Sequence, residues 1–301
     1  MKKEKQIKNL PASVKQRLIN LCGKSGIEFQ NIMRQYIQER FLYRLSISKY
    51  TNDFILKGAL LFLAHNIDRT RPTKDIDFLG NSISNKNEDI KRAIIEILSI
   101  NYEDGLLFDN KKIDVVDIIN DGDYQGIRIK FDAYLQNARE RIQIDIGFGD
   151  EITSGPVELD FPTLLDFPAP RLFAYSLESA LAEKFEAIVS INLATSRMKD
   201  FYDIAFLAKN CHFEKTILRE ALFTTFNNRK TDIENRKEIF SDDFKNDSKK
   251  QIMWSAFLKR NKLDDYTKFI EIVEKIKTFI EPVFENNNKN KWNPVKLKWV
   301  I

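Results

Sequence analysis

The sequence predicts an α+β protein: N-terminal helices, then a mixed sheet of short strands around a helix, then a mostly helical C-terminal domain. Three observations carry this. Apolar residues recur at helical spacing up to about residue 50, alternate along short runs between residues 54 and 148, and continue beyond residue 156 without a glycine. A chain of 301 residues accommodates one large domain or two ordinary ones, at roughly 100–200 residues each. The expected divisions are 1–50, 51–165 and 166–301.

The elements follow in order. Val14, Leu18 and Leu21 share a helix face between Pro11 and Gly23, and Gly23 with Gly26 ends that helix. A second helix runs from about Glu28 to Leu45, with Ile32, Tyr36, Ile37, Phe41 and Leu45 on one stripe. Arg34, Arg40 and Arg44 fall on its other face and are expected in solvent, with RNA or phosphate contact as the alternative. The run Phe54-Ile55-Leu56 precedes the turn Lys57-Gly58 and a helix at Ala59–Ala64. After the polar turn Arg71-Pro72-Thr73-Lys74 comes the alternating run Asp75-Ile76-Asp77-Phe78-Leu79. A helix near Glu88–Ile100 follows, then strands over Ile113–Ile119, Gly126–Leu135 and Arg141–Phe148. A Pro-punctuated connector, Phe161 to Pro170, leads to a helical stretch from Ser176 to about Asn210. Residues 227–250 are polar and charged and read as a loop, and Asn286-Asn287-Asn288 reads as a turn before an aromatic tail with Trp292 and Trp299.

Composition narrows the chemistry. The 23 Phe and 43% hydrophobic residues suffice for a core, which excludes wholesale disorder. Two cysteines (Cys22, Cys211) and two histidines (His65, His212) speak against a disulfide scaffold and a Cys/His zinc site. The basic start MKKEKQIKNLPASV lacks the apolar stretch of a signal peptide. No apolar run approaches the roughly 18–20 residues of a membrane helix, so the expected location is the cytoplasm. The net charge of +4 is the sum of unlike parts. Residues 1–50 carry 11 basic and 3 acidic side chains (+8), residues 51–165 carry 13 and 21 (−8), and residues 166–301 carry 24 and 20 (+4). An acidic middle between basic flanks suits a metal-linked or polyanionic partner better than the total does.

The strongest chemical signal is Asp75 and Asp77. Residues i and i+2 of a strand point to one face, so the two carboxylates project together and repel unless a cation or shared proton relieves them. A hard dication such as Mg²⁺ does this. The bland alternative is a half-buried strand with an acidic outer face. Gly58 lies 17 residues before Asp75, at a strand-to-helix junction whose amides suit phosphate. Asp145, alone among Ile142, Ile144 and Ile146, is costly to bury unpaired. If its strand adjoins the first, three carboxylates form a site for metal-assisted phosphoryl or nucleotidyl transfer. Later in the chain Lys184 flanks an apolar helical stripe. Asp200 and Asp203 share a helix face, with Arg197 and Lys199 close by; surface ion pairs explain this cluster equally well. There is no P-loop, serine-hydrolase or zincin motif.

These residues resemble a known family. Phe54-Ile55-Leu56-Lys57-Gly58-Ala59-Leu60-Leu61 and Arg71-Pro72-Thr73-Lys74-Asp75-Ile76-Asp77 look like the opening motifs of the AbiEii/AbiGii abortive-infection nucleotidyltransferase toxins. Gln143–Asp150, Tyr175 with Glu183–Ala187, and Ser196–Asp203 resemble its later motifs, as do Glu39–Leu45 and Phe161–Asp166. The resemblance spans roughly residues 10–260 in order. It implies a nucleotidyltransferase-like α/β domain followed by a helical domain, the toxin of a bacterial type IV toxin–antitoxin system used in phage defence. It also implies Mg²⁺, with Mn²⁺ as substitute, held by Asp75, Asp77 and Asp145, and an NTP substrate. NMP would pass to an RNA acceptor, tRNA being the expected one. Lys57, Gly58, Ala59, Arg71, Thr73, Arg197, Lys199 and Asp203 would border the NTP, and Lys184 and Asp200 would complete the catalytic set. The cognate antitoxin would act without a stable complex. Gly58-Ala59 departs from the Gly-Ser of many nucleotidyltransferases and removes one hydroxyl from the phosphate turn. Alternatives are transfer to a protein or small-molecule hydroxyl, and an NTP-binding module without turnover.

Overall fold

A computed structural model describes residues 9–67, 73–120, 124–263 and 267–301. The chain forms two compact units. The first takes the described residues up to Gly149 together with Val157–Ala174; the second takes Asp150–Pro156 and everything from Tyr175. Among the described residues no helix is long and apolar enough to cross a membrane.

The first unit opens with α1 (Leu10–Ser25). Asn9 caps it by accepting the Ala12 amide at 3.1 Å, and Gly26, at φ 71°, ends it in a left-handed turn. Helix α2 (Phe29–Ser46) follows. Strands β1 (Phe54–Lys57) and β2 (Asp75–Gly80) flank α3 (Leu61–Ala64), and α4 (Asn87–Leu98) precedes β3 (Leu106–Phe108), β4 (Asp114–Asn120), β5 (Tyr124–Leu135) and β6 (Ala138–Phe148). Strands β7 (Val157–Asp160) and β8 (Arg171–Ala174) complete an eight-stranded sheet of order β3-β5-β6-β2-β1-β8-β7, with β4 also on β5. The pairs β2–β6 and β1–β8 are parallel and the others antiparallel, so the sheet is mixed as the sequence predicts. Its apolar face carries Ile76, Phe78, Phe131 and Ile144, and Phe41 of α2 packs there, its ring centroid 5.8 Å from that of Phe131.

Helix α2 differs from the expectation. Arg34, Arg40 and Arg44 are all buried rather than solvated. Each has a partner: Arg34 bonds Glu140, Arg44 forks onto Asp104 at 2.6 and 3.1 Å, and Arg40 donates to the Pro168 carbonyl at 2.7 Å. Arg40 and Arg44 also lie over the rings of Tyr43 and Phe108. The helix is enclosed on two sides, and its polar face is used to pin loops. Glu39 accepts the Leu164 amide at 2.7 Å, which joins two motifs of the family resemblance that carry no chemistry of their own.

The second unit contains α5 (Leu177–Ile191), α6 (Met198–Asn210), β9 (Phe213–Glu214) and α7 (Lys215–Asn228). Two single-turn helices, α8 (Arg236–Ile239) and α9 (Asp242–Lys245), lead to α10 (Ser248–Arg260) and α11 (Phe269–Ile280). Residues 227–250 are therefore not one loop: Ile239, Phe240 and Phe244 bury themselves between short helical turns. The aromatic tail forms a hairpin, β10 (Lys291–Asn293) and β11 (Lys298–Val300), which adds to β9. Trp292 donates to the Ala208 carbonyl and Trp299 to that of Phe279, so both indole N–H groups are satisfied inside the core.

Candidate active site

The first unit places Asp75, Asp77 and Asp145 on one sheet face. Along β2 the aspartates are half-buried while Ile76 and Phe78 are fully inside. Strand β6 runs parallel beside it in a register that pairs Asp77 with Asp145 and Asp75 with Gln143. The register continues outward: Lys57 of β1 pairs with Asp77, and Arg128 of β5 pairs with Asp145. A row of four charges thus crosses four strands in the order Lys57, Asp77, Asp145, Arg128. Adjacent strands are about 4.8 Å apart, so the two central carboxylates stand side by side.

Arg128 was not foreseen as a site residue. Its Nε donates to Asp145 Oδ1 at 2.8 Å and its Nη2 to Oδ2 at 2.7 Å, a planar fork. Gln143 Nε2 adds contacts to the same oxygens at 3.3 and 3.2 Å. The guanidinium is held above its usual range, first by its bond to Asp145, with Asp75 and Asp77 adding to the field. The only sequence signal for this residue was its alternation on a strand of unknown neighbour.

Gly58 follows β1 at φ +68°. A Cβ built on it would lie 2.0 Å from Asp77 Oδ2, so the bare backbone of the turn lies against the catalytic candidate. Helix α3 is a single turn starting at Leu61. The turn at 58–60 is therefore followed by no long helix whose dipole could serve an anion. Thr73 is buried, donates its hydroxyl to the Asp75 carbonyl at 3.4 Å, and receives Gln38 Nε2 on its own carbonyl. Its hydroxyl serves the entry of β2. Lys57 and Ala59 are half-buried beside Gly58, and Arg71 lies outside the described residues.

Asp75 and Asp77 fit a hard dication by donor type and shared face. Asp145 fits only in part, because both its oxygens are already bound. Among the described residues no three carboxylate, imidazole or thiolate groups converge as a bound metal would need.

The second unit assembles its own cluster. Lys184 of α5 donates to Asp200 Oδ1 at 3.1 Å and Asp203 Oδ2 at 2.7 Å, both on α6. Arg197 Nε donates to Asp200 Oδ2 at 2.7 Å. Burial works to raise the Asp200 carboxyl, but Lys184, then Arg197 and Lys199, outweigh it and hold the group well below the usual carboxylate range. Lys199 itself is exposed. The helical spacing of Asp200 and Asp203 is used as expected, except that a neighbouring helix supplies the cation. Arg229 is a further unforeseen residue. It binds Asp150, Glu183 and Glu186 at 3.0, 3.2 and 2.9 Å and so neutralises both glutamates that flank Lys184 on α5.

Comparison with known proteins agrees with this architecture. No protein of curated function matches the chain in sequence. The structure of JHP933 from Helicobacter pylori is similar, with a TM-score of 0.52 and 14% identity over 85% of this chain and 93% of that one. A second H. pylori structure, described as a candidate nucleotidyltransferase, gives a TM-score of 0.50 and 15% identity over 85% and 96%. At such identity these likenesses show the shared fold. The family profile "Nucleotidyl transferase AbiEii toxin, Type IV TA system" matches residues 40–278, well over half of the chain. The chain therefore belongs to the AbiEii nucleotidyl transferase toxin family of type IV toxin–antitoxin systems.

Proposed function

We propose that the protein is a divalent-metal-dependent nucleotidyltransferase toxin that moves NMP from an NTP to a hydroxyl of an RNA acceptor, with tRNA as its target in the cytoplasm. The observation that carries this is the shared face of Asp75 and Asp77, in register with Asp145 and closed against Gly58. Asp75 and Asp77, with Asp145 as third donor, would hold Mg²⁺ or Mn²⁺, which supplies the charge to neutralise a triphosphate and its pyrophosphate leaving group.

The chain's own residues do the rest. The 58–60 turn brings backbone amides to the phosphates, with Lys57 beside it as a cation. The acceptor oxygen bonds to the α-phosphorus as the bond to the β-phosphate bridge breaks, and the hydroxyl proton leaves to solvent or to a carboxylate of the site. In the second unit, Asp200 and Asp203 hold the Lys184 ammonium group in position and compensate its charge. The antitoxin of this family pair would act without a stable complex.

The test is label transfer. Purified protein, each labelled NTP in turn, Mg²⁺ and total tRNA should yield labelled RNA, and Asp75→Ala should yield none. Absence of transfer to RNA with every NTP sinks the proposal. Label in protein or in a small-molecule acceptor under the same conditions would redirect it to those hydroxyls.

A further inference from the structure

Arg128 raises a question that the carboxylates alone do not. An ionised carboxylate offers about four lone-pair positions. On Asp145 the guanidinium fork takes one on each oxygen, at 2.8 and 2.7 Å, and Gln143 Nε2 approaches both oxygens at 3.3 and 3.2 Å. The Asp145 side chain is only 14% exposed, so little of it remains for a further ligand. Mg²⁺ demands near-octahedral oxygen geometry at about 2.1 Å and would also stand close to a guanidinium of like sign.

We infer that Arg128 and the divalent cation compete for Asp145, so that metal loading releases Arg128 from its fork. The charge pattern makes this exchange reasonable. Asp77 and Asp145 are register partners on adjacent strands, and Asp75 lies two residues along on the same face. Three carboxylates so placed repel each other, and the Arg128 guanidinium offsets one of them. A dication offsets the same repulsion and makes the guanidinium redundant at Asp145. Arg128 is 35% exposed, which leaves it room to swing, and its planar fork suits phosphate oxygens as well as carboxylate. The residue acts on the site through Asp145 and is a positioning residue, not a catalytic one.

This inference rests on the reading that the aspartates take a divalent cation. The experiment separates the two. Mn²⁺ alone is titrated into the full chain and free Mn²⁺ is followed by its EPR signal, for wild type, Arg128→Gln, Arg128→Lys, Asp145→Asn, Arg128→Gln with Asp145→Asn, and Asp77→Asn. Removing the charge-assisted fork frees Asp145 for the metal, so Arg128→Gln should tighten Mn²⁺ binding about tenfold or more. Arg128→Lys keeps the charge but loses the fork and should also gain. The gain should vanish when Asp145 is already Asn. An equal gain in the Asp145→Asn background, or none in Arg128→Lys, would mark a remote charge effect and overturn the competition. No gain in Arg128→Gln also overturns it. If Asp77→Asn leaves Mn²⁺ binding unchanged, the metal reading itself fails, and the competition falls with it. Far-ultraviolet circular dichroism of each variant confirms that the fold is kept.

Discussion

Gly58 lies against Asp77 so closely that a Cβ on the glycine would fall 2.0 Å from the aspartate's Oδ2. The antiparallel register that pairs Lys57 with Asp77 brings the next residue into this contact, and the φ of +68° disfavours any larger residue there.

Gly58→Ala should therefore disable the enzyme before it unfolds it. The added methyl must displace the Asp77 carboxylate, and misplacement by about 1 Å costs on the order of 100-fold in rate. Strain at positive φ should cost about 1 kcal/mol or more of stability. Nucleotide transfer and urea unfolding measured side by side check both; a variant with wild-type transfer would refute the contact's role.

Asp75→Asn and Asp77→Asn should abolish transfer while holding or raising the melting temperature in the absence of divalent ions. Each removes one of three neighbouring carboxylates from a face whose cations, Lys57 and Arg128, stand at the two ends of the row, so the repulsion among the carboxylates falls. Differential scanning calorimetry in chelator, paired with the label assay, reads the two effects. A drop in melting temperature would indicate that the aspartates are structural.

Lys184→Met should destabilise the second unit strongly. It leaves Asp200 and Asp203, each with a side chain 2% exposed, without their shared ammonium group, and removing one partner from a buried ion pair costs about 3–5 kcal/mol. Asp200→Asn in the same background should recover part of the loss. The three tryptophans all lie in this unit, so their fluorescence during urea unfolding reports it directly.

Glu39 predicts a pH dependence. Burial pushes its carboxyl up to about 7, against the help of the Leu164 amide and Arg40. The folded state thus holds the proton more tightly than the unfolded chain, whose value is 4.5. Its contribution to stability is complete below about pH 4.5 and is lost as pH rises through 7, by on the order of 1 kcal/mol per pH unit. Glu39→Gln carries no such slope. Its stability relative to wild type should improve from about pH 4.5 to about pH 7 and level off above that in denaturant titrations, and a constant difference across this range would contradict the assignment.

Much of this was legible in the sequence because strand and helix periods are local. Alternation along Asp75–Leu79 put both aspartates on one face, and the cost of burying a lone carboxylate marked Asp145 as needing a partner; that its strand lies parallel beside β2 is a fact of the fold. What escaped was long-range. Arg34, Arg40 and Arg44 looked like a solvated face because helical periodicity says nothing about a second layer of chain over the polar side; their partners Glu140, Pro168 and Asp104 lie 106, 128 and 60 residues away. Residues 227–250 looked like a loop because single helical turns leave no period to detect, although Arg229, near the start of that stretch, neutralises Glu183 and Glu186.

Residue types and spacing alone marked Asp75, Asp77, Asp145 and the Lys184–Asp203 set as candidates for chemistry. Only the tertiary structure decided which charges meet. It placed Arg128 rather than an open coordination position on Asp145, and the Gly58 backbone rather than a side chain against Asp77. Strand register settles both, because a shift of one residue turns every side chain to the other face.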